Sequence, residues 1–323
     1  MMEDNTMPLR APGPDAWQAR IEEIGEDEGY YQRLGPAHAA LFADAAPVLL
    51  VSFESRDTIR AGDGEQLPFG LRAARKAGWS SLTLIADHDS WFRDPRVYGY
   101  FDRLVDEAFF EDFDRVVFYG AGPGGYAAAA FSVAAPGCTV VALQPQATLD
   151  PRLAGWDTRF CRQRRTDFTT RYGYAPDMIE AAARVLLIHD PLSRLDAMHA
   201  ALFRRPHVIA LPCPGLVDPV DAMLADMGVL EPLLALAMHG QADAAAFWRL
   251  YRARRDLPRY LRALSARLDA GGRVWLNALL CRNAAHRLDA PHFRARLATL
   301  KEALAQQGRS LPPMRDTGGG SGV

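Results

Sequence analysis

One glycine turn, set between an apolar run and an alanine run, constrains this chain more than any other stretch. Val116-Val117-Phe118 leads into Tyr119-Gly120-Ala121-Gly122-Pro123-Gly124-Gly125-Tyr126, and four alanines, Ala127–Ala130, follow. A short β-branched run, a glycine break and a helix-forming run read as strand, sharp turn and helix. Comparable buried runs occur at Val48–Phe53, Leu82–Ala86, Thr139–Leu143, Val185–Ile188 and His207–Leu211. Helical segments separate most of them, among them Phe69–Lys76, closed by Gly78, and Tyr98–Phe109. Strands alternating with helices imply an α/β fold, a parallel sheet with helices on both faces.

The flanks read differently. Residues 1–15 hold three prolines and read as disordered; from Asp15 to about Phe42 the pattern is helical, with a break at Gly35-Pro36. From Asp218 to about Gln307 the chain reads as helix throughout, and the glycine-rich end, 318–323, as a flexible tail. The expected organisation is an N-terminal extension over 1–45 and a core over 46–217. A small cap at 151–180 interrupts the core; a helical region over 218–310 and a tail over 311–323 follow it.

Composition narrows the class of protein. The 323 residues are 49% hydrophobic, enough for a full core, and carry a formal net charge of −2, which argues against nucleic-acid binding. Lysine occurs only at Lys76 and Lys301, so arginine is the default cation. Cys138, Cys161, Cys213 and Cys281 lie far apart with no C-x-x-C, which fits a reducing compartment and no structural zinc. The N-terminal Met1-Met2-Glu3-Asp4 has no signal-peptide character, and the longest apolar stretch is broken by Pro136-Gly137. A cytoplasmic protein without a membrane span is expected.

Two devices share the outline of the glycine turn. Gly120, Gly122 and Gly125 satisfy the dinucleotide fingerprint G-x-G-x-x-G. The nucleophile elbow, G-x-S-x-G, has the same strand–turn–helix setting. Two strand–helix units precede the turn, whereas a dinucleotide fingerprint opens the first. The ribose-binding acid is missing as well: the next strand ends in Gln144-Pro145-Gln146, with no carboxylate before Asp150. Both points favour the elbow, and no cofactor is expected.

Residues about 46–225 resemble a branch of the α/β-hydrolase superfamily whose elbow reads Y-G-S-S-M-G-G-Y-A-A and whose next strand ends in S-P-Q. Here the corresponding residues are Tyr119 to Ala128 and Gln144-Pro145-Gln146. That branch includes hydrolase-like proteins of capsular polysaccharide loci and of the accessory secretion system. The resemblance puts Gly122 where the nucleophilic serine belongs. The residue after it, which supplies an oxyanion N–H, is Pro123, and proline has none. The histidine expected after the sixth strand is absent from Leu211–Asp218. The acid expected after the fifth survives as Asp190 or Asp196, and Asp196 equally suits a helix N-cap.

A relocated set can be drawn from other loops at the same sheet edge. It would use Ser52, Ser55 or Ser90, with His88, His189 or His199 as base. Asp87 beside His88 reads as shaping its loop. Ser132 lies too far into the elbow helix, and Cys213 reads as a small buried side chain. The cap carries Arg152, Arg159, Arg162, Arg164, Arg165 and Arg171 among Trp156, Phe160, Phe168 and Tyr172. They read either as a solvated lid or as an anion pocket over Gly122, Gly124 and Gly125 to which Arg162 and Arg165 contribute. In the C-terminal part, Phe247–Arg255 is amphipathic at helical spacing, which suits either packing or a protein-binding surface. The expectation is therefore a hydrolase-like protein without hydrolase chemistry, serving as a binding or scaffold module. Its expected ligand is an anionic small molecule, and a protein partner on the C-terminal helices is a second expectation. The alternatives are an ester hydrolase with relocated residues and a nucleotide-binding protein.

Overall fold

A computed structural model describes residues 14–62, 64–216 and 219–313. The disorder expected before Pro14, the tail at 318–323, and Val217 and Asp218 lie outside them. By their contacts the residues form two compact units, one reaching Leu250 and one starting at Tyr251.

The first unit is built on an eight-stranded sheet. Its strands are β1 (Gly29–Arg33), β2 (His38–Ala43), β3 (Val48–Ser55), β4 (Ser80–Ala86), β5 (Arg115–Ala121), β6 (Thr139–Leu143), β7 (Arg184–His189) and β8 (Val208–Pro212). The order across the sheet is β1-β2-β4-β3-β5-β6-β7-β8. From β4 to β8 every pairing is parallel; β1 and β2 form an antiparallel hairpin on the β4 edge. This is an α/β-hydrolase-like sheet, and all six strands expected from the apolar runs are in it.

The N-terminal segment differs from expectation. Helix α1 (Pro14–Glu28) ends fourteen residues before Phe42. The chain then turns back as β1 and β2, with His38 opposite Ala86 and Ala43 opposite Ser81. The physical reason is burial: all six residues of β2 are buried, so no polar alternation marks the strand.

Helices cover both faces. On one, Trp17 and Ile21 of α1 pack on Leu41, Ala43 and Ile85, joined by Ile59 of α2 (Arg56–Ala61) and Leu71 of α3 (Phe69–Ala77). On the other, Phe101 of α4 (Pro95–Asp106) and Phe131 of α5 (Pro123–Phe131) pack with Phe53 and Phe118. Phe101 and Phe131 stack with ring centroids 4.5 Å apart. Between β6 and β7 the chain makes only short helical pieces, α6 (Pro151–Ala154), a 3-10 turn at Cys161–Arg165, α7 (Ala175–Met178) and a second 3-10 turn at Ile179–Ala181. Helices α8 (Arg194–Leu202), α9 (Val220–Asp226), α10 (Leu230–Met238) and α11 (Ala244–Leu250) complete this unit.

The second unit opens with a 3-10 turn, Tyr251–Arg255, followed by α12 (Pro258–Ala270), α13 (Val274–Arg287) and α14 (Pro291–Gln306). Its core includes Phe293, Leu300 and Leu304, with a buried polar contact between Asn277 and Ser265. No helix among the described residues is long and apolar enough to cross a membrane.

Candidate functional site

The glycine turn lies at the carboxyl end of β5. Gly122 has φ 52° and ψ −117°, a left-handed conformation that glycine adopts readily. Its N–H donates to the Leu143 carbonyl at 2.8 Å, and its carbonyl accepts from the Tyr126 N–H at 3.0 Å. Helix α5 therefore starts at once, with Pro123 in its first position, where a missing N–H breaks no helical bond.

The glycines here serve two different purposes. A Cβ on Gly120 would stand 2.2 Å from the Gly124 carbonyl oxygen, and one on Gly124 would stand 2.3 Å from that of Phe53. A Cβ on Gly125 would stand 2.8 Å from the Leu143 oxygen. These three let α5 lie directly on β3, β5 and β6. Around Gly122 a Cβ would meet nothing within 4 Å, so a side chain there would project into open space. The G-x-G-x-x-G match thus has a packing cause for two of its three glycines.

Beside the turn, at the ends of β3, β4 and β5, lies a pocket of about 130 Å³. Pro123, Gly124, Ser55, His88 and Ser90 line it, together with the carboxylates Glu54, Asp89 and Asp221. Glu54 accepts from the Phe69 and Gly70 N–H groups at 2.6 and 2.8 Å and from Ser52 Oγ at 2.9 Å. Burial pushes its carboxyl up even so, against those three bonds. The loop after β4 is unusual: Trp91 and Phe92, both buried, have φ of 51° and 56°. Two consecutive left-handed aromatic residues are costly and persist only where neighbours hold them. One brace is Trp91 Nε1, which donates to Gln146 Oε1 at 2.9 Å. The Pro-Gln step after β6 thus steadies the β4 loop.

The cap arginines do not converge on this pocket. Arg152 pairs with Asp150 at 2.7 Å, and Arg171 pairs with Asp102. Arg159 spans two acids, 2.8 Å from Asp157 and 2.7 Å from Asp196. Arg162 and Arg165 are exposed in the 3-10 turn and line no part of the pocket. Carboxylates thus take up Arg152, Arg159 and Arg171, and the lining of this pocket carries three acids and no arginine.

Both candidate acids are tied elsewhere. Asp190 accepts from the Leu192 N–H at 2.8 Å and from the Gly215 N–H at 2.9 Å, linking the loops after β7 and β8. Asp196 is held by Arg159 and by Gln144 Nε2, the latter at 3.2 Å. Ser52 is fully buried against Thr83 and Glu54. Ser55 caps α2, and Ser132 donates to the Ala129 carbonyl. Cys213 is buried, and His189 is buried with its Nδ1 unbonded. His199 Nδ1 accepts from the Ala147 N–H at 3.1 Å, so its proton sits on Nε2, 3.0 Å from Asp157 Oδ2.

One contact escaped the sequence reading. His38, at the start of β2, places Nε2 2.7 Å from Ser90 Oγ, and its Nδ1 lies 3.9 Å from Asp94 Oδ2. That is the chain of contacts of a serine–histidine–aspartate relay with its second link open. Ser90 also accepts from the Phe92 N–H at 3.1 Å, and Asp94 caps α4. The available signal was the apolar run after Gly35-Pro36, which brings His38 to the sheet edge only if read as a strand.

Burial lowers the affinity of His38, His189 and His199 for protons, against the opposing pull of nearby aspartates. A histidine lowered on folding binds its proton first in the unfolded chain. Its contribution to stability is therefore complete above about pH 6.5 and shrinks as the pH falls below that. Glu54, raised on folding, works in the opposite direction closer to pH 4.5. Tm is expected to hold from pH 7.5 to about 6.5 and to fall from there to pH 5.5. A flat profile over that range would show that the three imidazoles do not fold neutral.

No protein-family model matches the sequence, and no curated protein matches it. Solved structures do. Est1E from Butyrivibrio proteoclasticus is 15% identical, with 66% of this chain and 99% of that one covered, at a TM-score of 0.42. The capsule O-acetyltransferase of Neisseria meningitidis serogroup A is 11% identical over 60% and 91%, at 0.36. A glycosylation-associated protein complex from Streptococcus agalactiae is 12% identical over 64% and 45%, at 0.42. It is the strand order of the sheet, not these likenesses, that defines the fold.

Proposed function

We propose that the Gly122 turn is a hydrolase elbow without its nucleophile, and that the chain acts by binding, as a recognition or scaffold module. The observation that carries this is the pairing of an elbow-like backbone and open space at Gly122 with Pro123 immediately after it. Acyl transfer at this turn lacks a nucleophile and lacks the N–H that would meet the oxyanion. The acidic, hydroxyl-bearing lining favours a neutral or cationic ligand over the anion expected from the cap arginines. A role in glycan or cell-envelope biosynthesis follows from the resemblance at the elbow and the Pro-Gln step.

A second reading has one observation in its favour, the 2.7 Å contact between Ser90 and His38 beside the same pocket. It ranks lower because Asp94 is 3.9 Å from Nδ1, and that nitrogen has no hydrogen bond. One experiment separates the two. The purified chain is incubated with short acyl esters and with a fluorophosphonate probe. Turnover at background and no covalent labelling are expected. Labelling that disappears in Ser90→Ala would establish the second reading and end the first.

A further inference from the structure

We propose that a groove in the second unit docks an acidic, leucine-bearing segment of a partner protein. The groove, about 800 Å³, lies among the Tyr251–Arg255 turn, α12 and α13. Arg252, Arg254, Arg255 and Arg287 stand around it, with Asp256 the single carboxylate. Asp256 is already paired with Arg287. Arg254 donates to the Tyr251 carbonyl and lies over that ring at 4.5 Å. Arg252 and Arg255 are exposed, and neither guanidinium meets a carboxylate among the described residues.

An excess of guanidinium charge around a concave surface attracts carboxylates, which it can hold by paired hydrogen bonds. The lining also sets the second half of the specificity. Leu261, Leu264 and Leu280 contribute to it, so apolar side chains have somewhere to seat. A stretch alternating leucine-type and acidic residues at helical spacing satisfies both. Nucleic acid suits the lining less well, because stacking calls for exposed aromatic faces and Tyr260 is 8% exposed. A second copy of this chain also fits poorly. Its acidic helix, α1, commits Trp17 and Ile21 to its own core.

The proposal is independent of the Gly122 turn and of what binds there. The test uses the full chain and a fluorescein-labelled helical peptide with leucines at i, i+3 and i+4 and glutamates between. Saturable anisotropy is expected, weakening at least about tenfold on raising salt from about 0.05 to about 0.5 M. The exposed double variant Arg252→Glu/Arg255→Glu should keep the wild-type Tm and lose at least about tenfold in affinity. A peptide with serine for leucine should bind at least about fivefold more weakly. Absence of binding, or binding indifferent to the double variant, overturns the proposal. So does equal competition by single-stranded RNA, which would mark a general polyanion patch. Salt-sensitive self-association abolished by the double variant would assign the groove to a second copy and overturn it too.

Discussion

Gly120→Ala is expected to destabilise the first unit severely, whereas Gly122→Ala is not. At position 120 the new methyl would stand 2.2 Å from a backbone oxygen of the following helix. Backbone lies on both sides, so no side chain can swing away. Either α5 lifts from the sheet or β5 is displaced, and both disrupt the stacked ring cluster of Phe53, Phe101 and Phe131. Overpacking of a well-filled core costs about 1–3 kcal/mol and more where backbone must move. About 3–5 kcal/mol is the expectation here, which at about 2–4 °C per kcal/mol lowers Tm by roughly 6–20 °C. At position 122 there is room, and the cost is the left-handed backbone alone, about 1–3 kcal/mol. Thermal denaturation of the two variants side by side decides the matter. Equal Tm values would mean that α5 does not rest on β5 as closely as described.

Arg159→Ala is expected to cost about 2–4 kcal/mol. The guanidinium sits between Asp157, whose side chain is fully buried, and Asp196, 5% exposed. Removing one member of a buried pair leaves the other charge uncompensated, typically at about 3–5 kcal/mol; the partial exposure of Arg159 reduces that. Burial works to raise the Asp157 carboxyl, but bonds from Arg159 and His199 outweigh it and hold the group below the usual range. A carboxyl lowered on folding stabilises above its unfolded value, about pH 3.9, and loses that contribution as pH falls through the folded value. The gap in Tm between wild type and variant should therefore hold from neutrality down to about pH 4 and narrow only as the pH falls below that. Arg159→Lys should recover only part of it, since one ammonium cannot reproduce the fork. A variant as stable as wild type at pH 7 would remove this network from the account of how the cap is held.

The parts of this architecture that were legible in sequence are those specified over short stretches. The six central apolar runs are strands because each is bounded by its own breaks. Gly122 and Pro123 declare the missing nucleophile and the missing N–H by residue type alone. What stayed hidden depends on distant partners. Arg171 and Asp102 are 69 residues apart, and Arg159 and Asp196 are 37 apart, so two of the acids that hold the cap arginines lay out of view, although Asp150 and Asp157 stand two residues from theirs. The Ser90–His38 contact spans 52 residues and exists only because β2 runs antiparallel to β4, which brings its first residue to the edge where β4 ends. The β2 run itself, buried throughout, lacks the alternation that would have separated strand from helix.

The N-terminal hairpin has a practical consequence for anyone shortening this chain. Judged as a helical appendage, the first 45 residues would be the natural segment to trim. In the sheet they are the cover of β4, seven residues buried without exception. Cutting ahead of β3 would leave that strand with a row of unpaired amides and carbonyls facing solvent. Such an edge is a template for joining another chain. A shortened protein that came out of solution would then say nothing about whether the rest of the fold is sound; it would reflect a lost border strand.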